Sequence, residues 1–155
     1  MLIALAGGGV FLLDRADSQA RDTTRKHHLE DLETALFFAR EKNGTYPPYQ
    51  QPTWCGLLND PANELVHKQV EQALRDQNAK YANQAKPFPT DPSALQKGWD
   101  YFYWKRSPAI FELYAVLETD DNNDRNTFLC KNAPGLYFDY GLSSVLREDR
   151  HTSRL

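Results

Sequence analysis

Oxygen-bearing side chains alternate through Asp120, Asn122, Asp124 and Asn126, and such a row can offer ligands to a hard cation such as Ca²⁺. An EF-hand-like loop would add a glycine at its sixth position and a glutamate at its twelfth. Here those positions hold Arg125 and Lys131. The competing reading is a solvated turn between strands, made of residues that turns favour. Calcium is the one cofactor the residues suggest; no other is expected.

The chain has two cysteines, Cys55 and Cys130. Their separation suits a single long-range disulfide, and closing so long a loop is worth roughly 4 kcal/mol on the chain-entropy account. The alternative is a pair of buried free thiols in a reducing compartment. Signs of export at the N-terminus, given below, weigh toward the bond. The four histidines are His27, His28, His67 and His151. His27 and His28 point to different sides of a helix, so they do not chelate as an i, i+4 pair would. Surface positions are expected for all four. No Gly-x-Ser-x-Gly, Walker or Rossmann pattern is present. A Cys–His nucleophile pair is conceivable, but the cysteines are better explained as partners of each other. The chain therefore reads as a non-enzyme. A net charge of −3, with Lys and Arg scattered among acids, also lacks the basic stripe that nucleic acid demands.

The elements follow from hydrophobic pattern. At 155 residues, 41% hydrophobic and 12% aromatic, the chain has one domain with a real core. The apolar run 2–13 carries no charge and three consecutive glycines, Gly7 to Gly9. It is shorter than the ~20 residues a membrane-crossing helix needs. It lacks the basic start and small-residue cleavage site of a secretory signal. Residues 1–13 read either as the outer end of a transmembrane helix that begins upstream of Met1 or as a buried core segment; the anchor is preferred, since lipid tolerates helix glycines.

Residues 14–42 read as one proline-free helix. Its first half is polar, with Asp22 and Lys26 at the acid-before-base spacing of an exposed helix, and is expected to project. In the second half Leu29, Leu32, Leu36 and Ala39 make a packing face, widened by Ala35, Phe37 and Phe38. Asn43-Gly44 should stop the helix, and Pro47-Pro48 forbids its return. Asn43-Gly44-Thr45 also fits the N-glycosylation pattern, although helix capping already explains it. A loop is expected over 45–60. A second helix follows over 61–81, with Asp60 as N-cap and Pro61 at its first position. Its apolar stripe is Leu65, Val66, Val70, Ala73 and Leu74. After a proline-punctuated loop at 86–92, strands are expected at 100–105, 109–118, 127–131 and 136–140. A frayed tail is expected over 142–155. Most of the aromatics, including Trp54, Trp99, Trp104 and the tyrosines, should fill the core. The fold class is thus α+β: a long N-terminal helix packed on a small antiparallel sheet, with one additional helix before the sheet and a head spanning 43–141.

The order of these parts resembles the type IV pilins and the type II secretion pseudopilins. The likeness rests first on Ala20-Arg21-Asp22-Thr23-Thr24-Arg25-Lys26, Leu29, Asp31-Leu32, Ala35-Leu36 and Asn43-Gly44-Thr45-Tyr46-Pro47. It continues in Pro89-Thr90-Asp91-Pro92, Tyr101-Phe102-Tyr103, Phe111-Glu112-Leu113-Tyr114-Ala115 and Leu117-Glu118. Together these span most of the chain from Ala20 to Glu118. The resemblance implies a long helix, half in the membrane, leading to a head of antiparallel strands. It implies filaments in which apolar helix halves bundle and heads form the surface, and in some pseudopilins a calcium ion in a head loop. The prepilin cleavage motif is missing here, and helix 61–81 is an insertion relative to the shortest members.

The function expected from this reading is a structural subunit of a cell-envelope filament or secretion apparatus. Its head would be extracytoplasmic, and its partners other pilin-like subunits, envelope assembly proteins and the membrane. The rival is a monomeric, membrane-anchored binding domain that uses the same fold without polymerising. A metal-dependent enzyme is the weakest rival.

Overall fold

The computed structural model describes residues 4–81, 86–119, 126–130 and 133–144, with side chains at 14–80, 86–119 and 138–144. The first helix, α1 (Ala4–Asn43), is unbroken over 40 residues, about 60 Å at 1.5 Å per residue. It ends as its sequence dictates. Gly44 takes φ +75°, and its N–H donates to the Arg40 carbonyl at 2.7 Å. Arg40 and Lys42 in the last turn complement the negative end of the helix dipole.

The chain then returns through Pro47 and Pro48 into β1 (Trp54–Leu57), a strand inside what the sequence presents as a loop. A 3-10 turn (Pro61–Asn63) leads into α2 (Glu64–Tyr81). The Asp60 side chain caps this turn, accepting the Ala62 N–H at 2.9 Å. A one-turn helix, α3 (Ala94–Lys97), precedes β2 (Phe102–Ser107) and β3 (Ile110–Ala115). The hairpin β4 (Asn126–Cys130) and β5 (Ala133–Phe138) follows, then β6 (Tyr140–Ser143). The main sheet has the order β1-β2-β3-β6 with antiparallel neighbours, and β4 and β5 form a separate pair. The architecture is therefore α+β, a long helix on a small antiparallel sheet.

Three corrections to the sequence reading concern boundaries. The strand expected at 136–140 is split between β5 and β6, because Asp139 breaks the ladder and sends β6 to pair with β3 instead. Residues 142 and 143 therefore belong to the sheet rather than to a frayed tail, and the Ser144 hydroxyl accepts the Phe111 N–H at 3.1 Å. Gly141 makes this pairing feasible: a Cβ there would lie 2.5 Å from the Tyr114 ring. Leu65, assigned to the α2 stripe, is 56% exposed while Val66 beside it is buried; the inward face runs through Val66, Val70, Ala73 and Leu74, and Leu65 lies off it.

Strand alternation sends Tyr103, Phe111, Leu113 and Ala115 to one face of the sheet, where they meet Leu29, Leu32 and Leu36 of α1, all fully buried. Tyr46, Leu58, Val66 and Val70 close this core. On the flank of α1 the small residues Ala35 and Ala39 pack against Ala73 and Leu74 of α2, which lets the two helices approach closely. The opposite sheet face carries Phe102, Trp104, Tyr114 and Val116 around Phe138.

Candidate functional site

The stripe Leu29, Leu32, Leu36, Ala39 does not end at Leu29. Stepping back four and then three residues along the same face reaches Arg25 and Asp22, and both are buried, at 0% and 4% exposure. The half of α1 expected to project is thus held into the head for two more turns. Asp22 pairs with Arg25, three residues on, and not with Lys26, which lies exposed with its ammonium over the Tyr140 ring.

Arg25 is the centre of this site. Its Nη1 donates to Asp22 at 2.7 Å. Its Nε and Nη2 grip both oxygens of Asp91 at 2.8 and 3.0 Å. Nη2 also reaches the Ser93 hydroxyl at 2.8 Å and Glu118 at 2.9 Å. Only a planar guanidinium can serve that many acceptors in a fixed fork. Trp99 covers the group, with the guanidinium carbon 5.1 Å from the ring centre. Glu118 in turn accepts from Arg21 at 2.7 and 2.8 Å, and the Lys97 ammonium lies 3.3 Å away. The second oxygen of Asp22 accepts the Thr119 N–H at 2.9 Å and hydroxyl at 2.6 Å. Three carboxylates therefore face three cations.

The electrostatics agree with the geometry. Hydrogen bonding from Arg21 is the main force holding the Glu118 carboxyl far below its ordinary pKa, with burial opposing and Arg25 and Ser93 assisting. For Asp22 burial pushes upward most strongly, yet the Thr119 hydroxyl, the Glu118 and Thr119 N–H groups and Arg25 together bring the carboxyl below its usual value. Burial works against the Arg25 charge, but Asp91, Glu118 and Asp22 outweigh it and raise its pKa. The members of the cluster saturate one another. Such an arrangement fixes the depth and angle at which α1 enters the head, a specificity role that buried ion pairs can serve.

A second tether closes the other end of α1. The Lys105 ammonium is buried and donates to the carbonyls of Tyr46, Pro48 and Gln51 at 2.7, 2.9 and 2.7 Å. The Tyr103 hydroxyl donates to the Pro47 carbonyl at 2.6 Å. Burial pulls the Lys105 pKa down, while three converging acceptors call for an ammonium, since a neutral amine has two protons to give.

The sequence reading placed none of Arg25, Asp91, Glu118 or Lys105 in a site. The signal for Arg25 and Asp22 was present in the continuation of the 3-4 spacing; Asp91, Glu118 and Lys105 carry no local mark of burial. The histidines divide. His27 is exposed beside Glu30, whereas His28 is half-buried with its Nδ1 2.7 Å from the Tyr101 hydroxyl, because it lies one residue from the leucine stripe. His67 is half-buried too, its Nδ1 3.0 Å from the Leu58 carbonyl. Surface placement therefore holds for His27 and fails for these two, while His151 lies outside the described residues. So do Asp120, Asn122 and Asp124, and the side chain of Asn126. Among the described residues no group of His, Cys, Asp and Glu is arranged to hold a metal. No described cysteine is a free thiol, and the side chain of Cys130 is outside the described residues. No helix among the described residues is long and apolar enough to cross a membrane.

The chain matches no protein-family model, none of the curated proteins and none of the solved structures with which it was compared.

Proposed function

We propose that the chain is a non-enzymatic, pilin-like or pseudopilin-like subunit of a cell-envelope filament or secretion apparatus, anchored through its apolar N-terminal segment with an extracytoplasmic head. The observation that carries this reading is the 40-residue unbroken helix, exposed over most of residues 14–20 and fastened to the head from Asp22 to Asn43. A rod held this firmly over its second half, with residues 14–20 largely exposed, is built to present that stretch to neighbours. The stretches that bear the pilin resemblance fall on the two tethers. Arg25, Asp91 and Glu118 join three of them, while Tyr46, Pro47 and Tyr103 join two more through the Lys105 cage and the Tyr103 hydroxyl. Residues used to fix a helix against a head are what an assembling subunit needs.

Export would permit a Cys55–Cys130 disulfide. Its support is positional: β1, which holds Cys55, lies against β5, and Cys130 pairs with Ala133 at the start of β5.

The test is copy-to-copy contact along the exposed stem. Asp17→Cys, expressed in a bacterial envelope and treated with a short bis-maleimide, should give a ladder of dimers and higher multimers. A monomer band alone, with the protein present in the membrane fraction, would reject assembly and leave the anchored monomeric binder.

A further inference from the structure

A cleft of about 270 Å³ opens between the 3-10 turn and α3, beside the Trp99 ring that covers Arg25. Its walls include Asp60, Asp100, Trp99, Thr90 and Ala94, and among the described residues no lysine, arginine or histidine lines it. Asp100 is anchored by neutral donors: the Asn59 N–H and side-chain amide at 2.7 and 2.6 Å, and the Tyr101 N–H at 2.7 Å. Burial raises its pKa above the ordinary value despite those bonds, and the Asp91 charge adds to the rise. The Asp60 carboxylate accepts only the Ala62 N–H among the described residues. Trp99 adds an aromatic wall whose ring already draws cations of this chain, with the Lys97 ammonium 4.3 Å from its centre.

Next to Ala94 stands Leu95, wholly exposed. It does not sit on a loose loop. Ser93, two residues before it, bonds to Arg25, Asp91 and Glu118, and Gly98, three residues after, closes the turn at φ +65° with its N–H on the Ala94 carbonyl. The ion cluster therefore holds a leucine out into water beside an acidic cleft. A free amine could use the carboxylates but would gain nothing from Leu95. A protein segment with a basic residue next to an apolar one would use both.

We infer that the cleft is a docking site for a basic–apolar segment of a partner protein, which inserts a lysine or arginine toward Asp60 and Asp100 and lays its neighbouring apolar side chain on Leu95. This does not depend on the filament reading; a subunit or an anchored monomer could dock a partner here.

Titration of the whole chain with acetyl-Leu-Lys-Leu-amide, followed through the Trp99 indole N–H resonance with Trp54 and Trp104 as internal references, tests it. A saturable shift confined to Trp99 is expected, and it should be lost when norleucine or glutamate replaces the lysine. Asp60→Ser keeps an oxygen for the N-cap and removes the charge; it should weaken binding about fivefold, the ~1 kcal/mol of a partly exposed ion pair. Leu95→Ser should weaken it as well. Both variants should melt with the parent, since neither site supports the core. No saturable shift at millimolar peptide, equal shifts for all three peptides, or unaltered binding by Asp60→Ser would overturn the inference. So would n-butylammonium chloride binding as tightly as the peptide, because the site would then be one for free amines.

Discussion

Arg25 sits where the leucine face of α1 would place another apolar residue, so its charge is tolerable only while Asp22, Asp91 and Glu118 surround it. Truncation to alanine leaves three buried carboxylates facing one another with only Arg21 and Lys97 nearby. Breaking a buried pair from one side typically costs 3–5 kcal/mol, and Arg25→Ala should lose about that much in urea unfolding at pH 7. The loss should shrink toward pH 4, because the orphaned carboxylates can then take up protons. In the intact protein the Glu118 and Asp22 pKa values lie below those of the unfolded chain. Their contribution is therefore complete above the ordinary carboxylate range and fades as pH falls through the folded values. His28 has the opposite charge type and the same direction of loss. Burial, opposed by Asp31 and Asp91 and helped by His27 and Lys86, lowers its pKa. The unfolded state thus binds the proton more readily, and stability falls as pH drops from 6.5 toward the folded value. His28→Gln should flatten the slope of stability against pH between 5 and 7.

Whole elements were more legible in the sequence than the contacts that lock them. Period and capping residues sufficed for α1 and α2, since an apolar face and an Asn-Gly or Asp-Pro boundary are local properties. The failures have nonlocal causes. β1 lies in a Pro- and Gln-rich stretch and becomes a strand because β2 offers it a ladder from Phe102 to Lys105. β6 exists because β3 leaves an edge that Gly141 can approach. Arg25 and Asp91 are 66 residues apart, so no window of sequence could reveal their bond. The same limit separates two leucines that look alike on paper. Leu32 is fully buried against the sheet and Leu65 is mostly exposed. Leu32→Ala should cost about 2–5 kcal/mol through lost burial and a residual cavity. Leu65→Ala should change stability by no more than about 0.5 kcal/mol. Parallel denaturant midpoints decide it, and equal effects would contradict the packing of α1 on the sheet.

At the scale of the molecule, α1 is fixed at two heights, by the Arg25 cluster and by the Lys105 cage, while the β4–β5 hairpin forms a two-stranded sheet of its own. That hairpin shares no backbone ladder with the four-stranded sheet; its described link to the sheet is its position against β1. Side-chain packing around Phe138 holds one end. A disulfide from Cys55 in β1 to Cys130 in β4 would hold the other, and it would bridge the two sheets where hydrogen bonds do not. If it forms, thiol labelling of the unreduced, denatured protein should find no reactive cysteine. Reduction should lower stability by about 4 kcal/mol, the chain-entropy value for so long a loop. Cys55→Ser should match the reduced protein and not add to it, since both remove the same bond. Two reactive thiols before reduction would leave the hairpin held by packing alone.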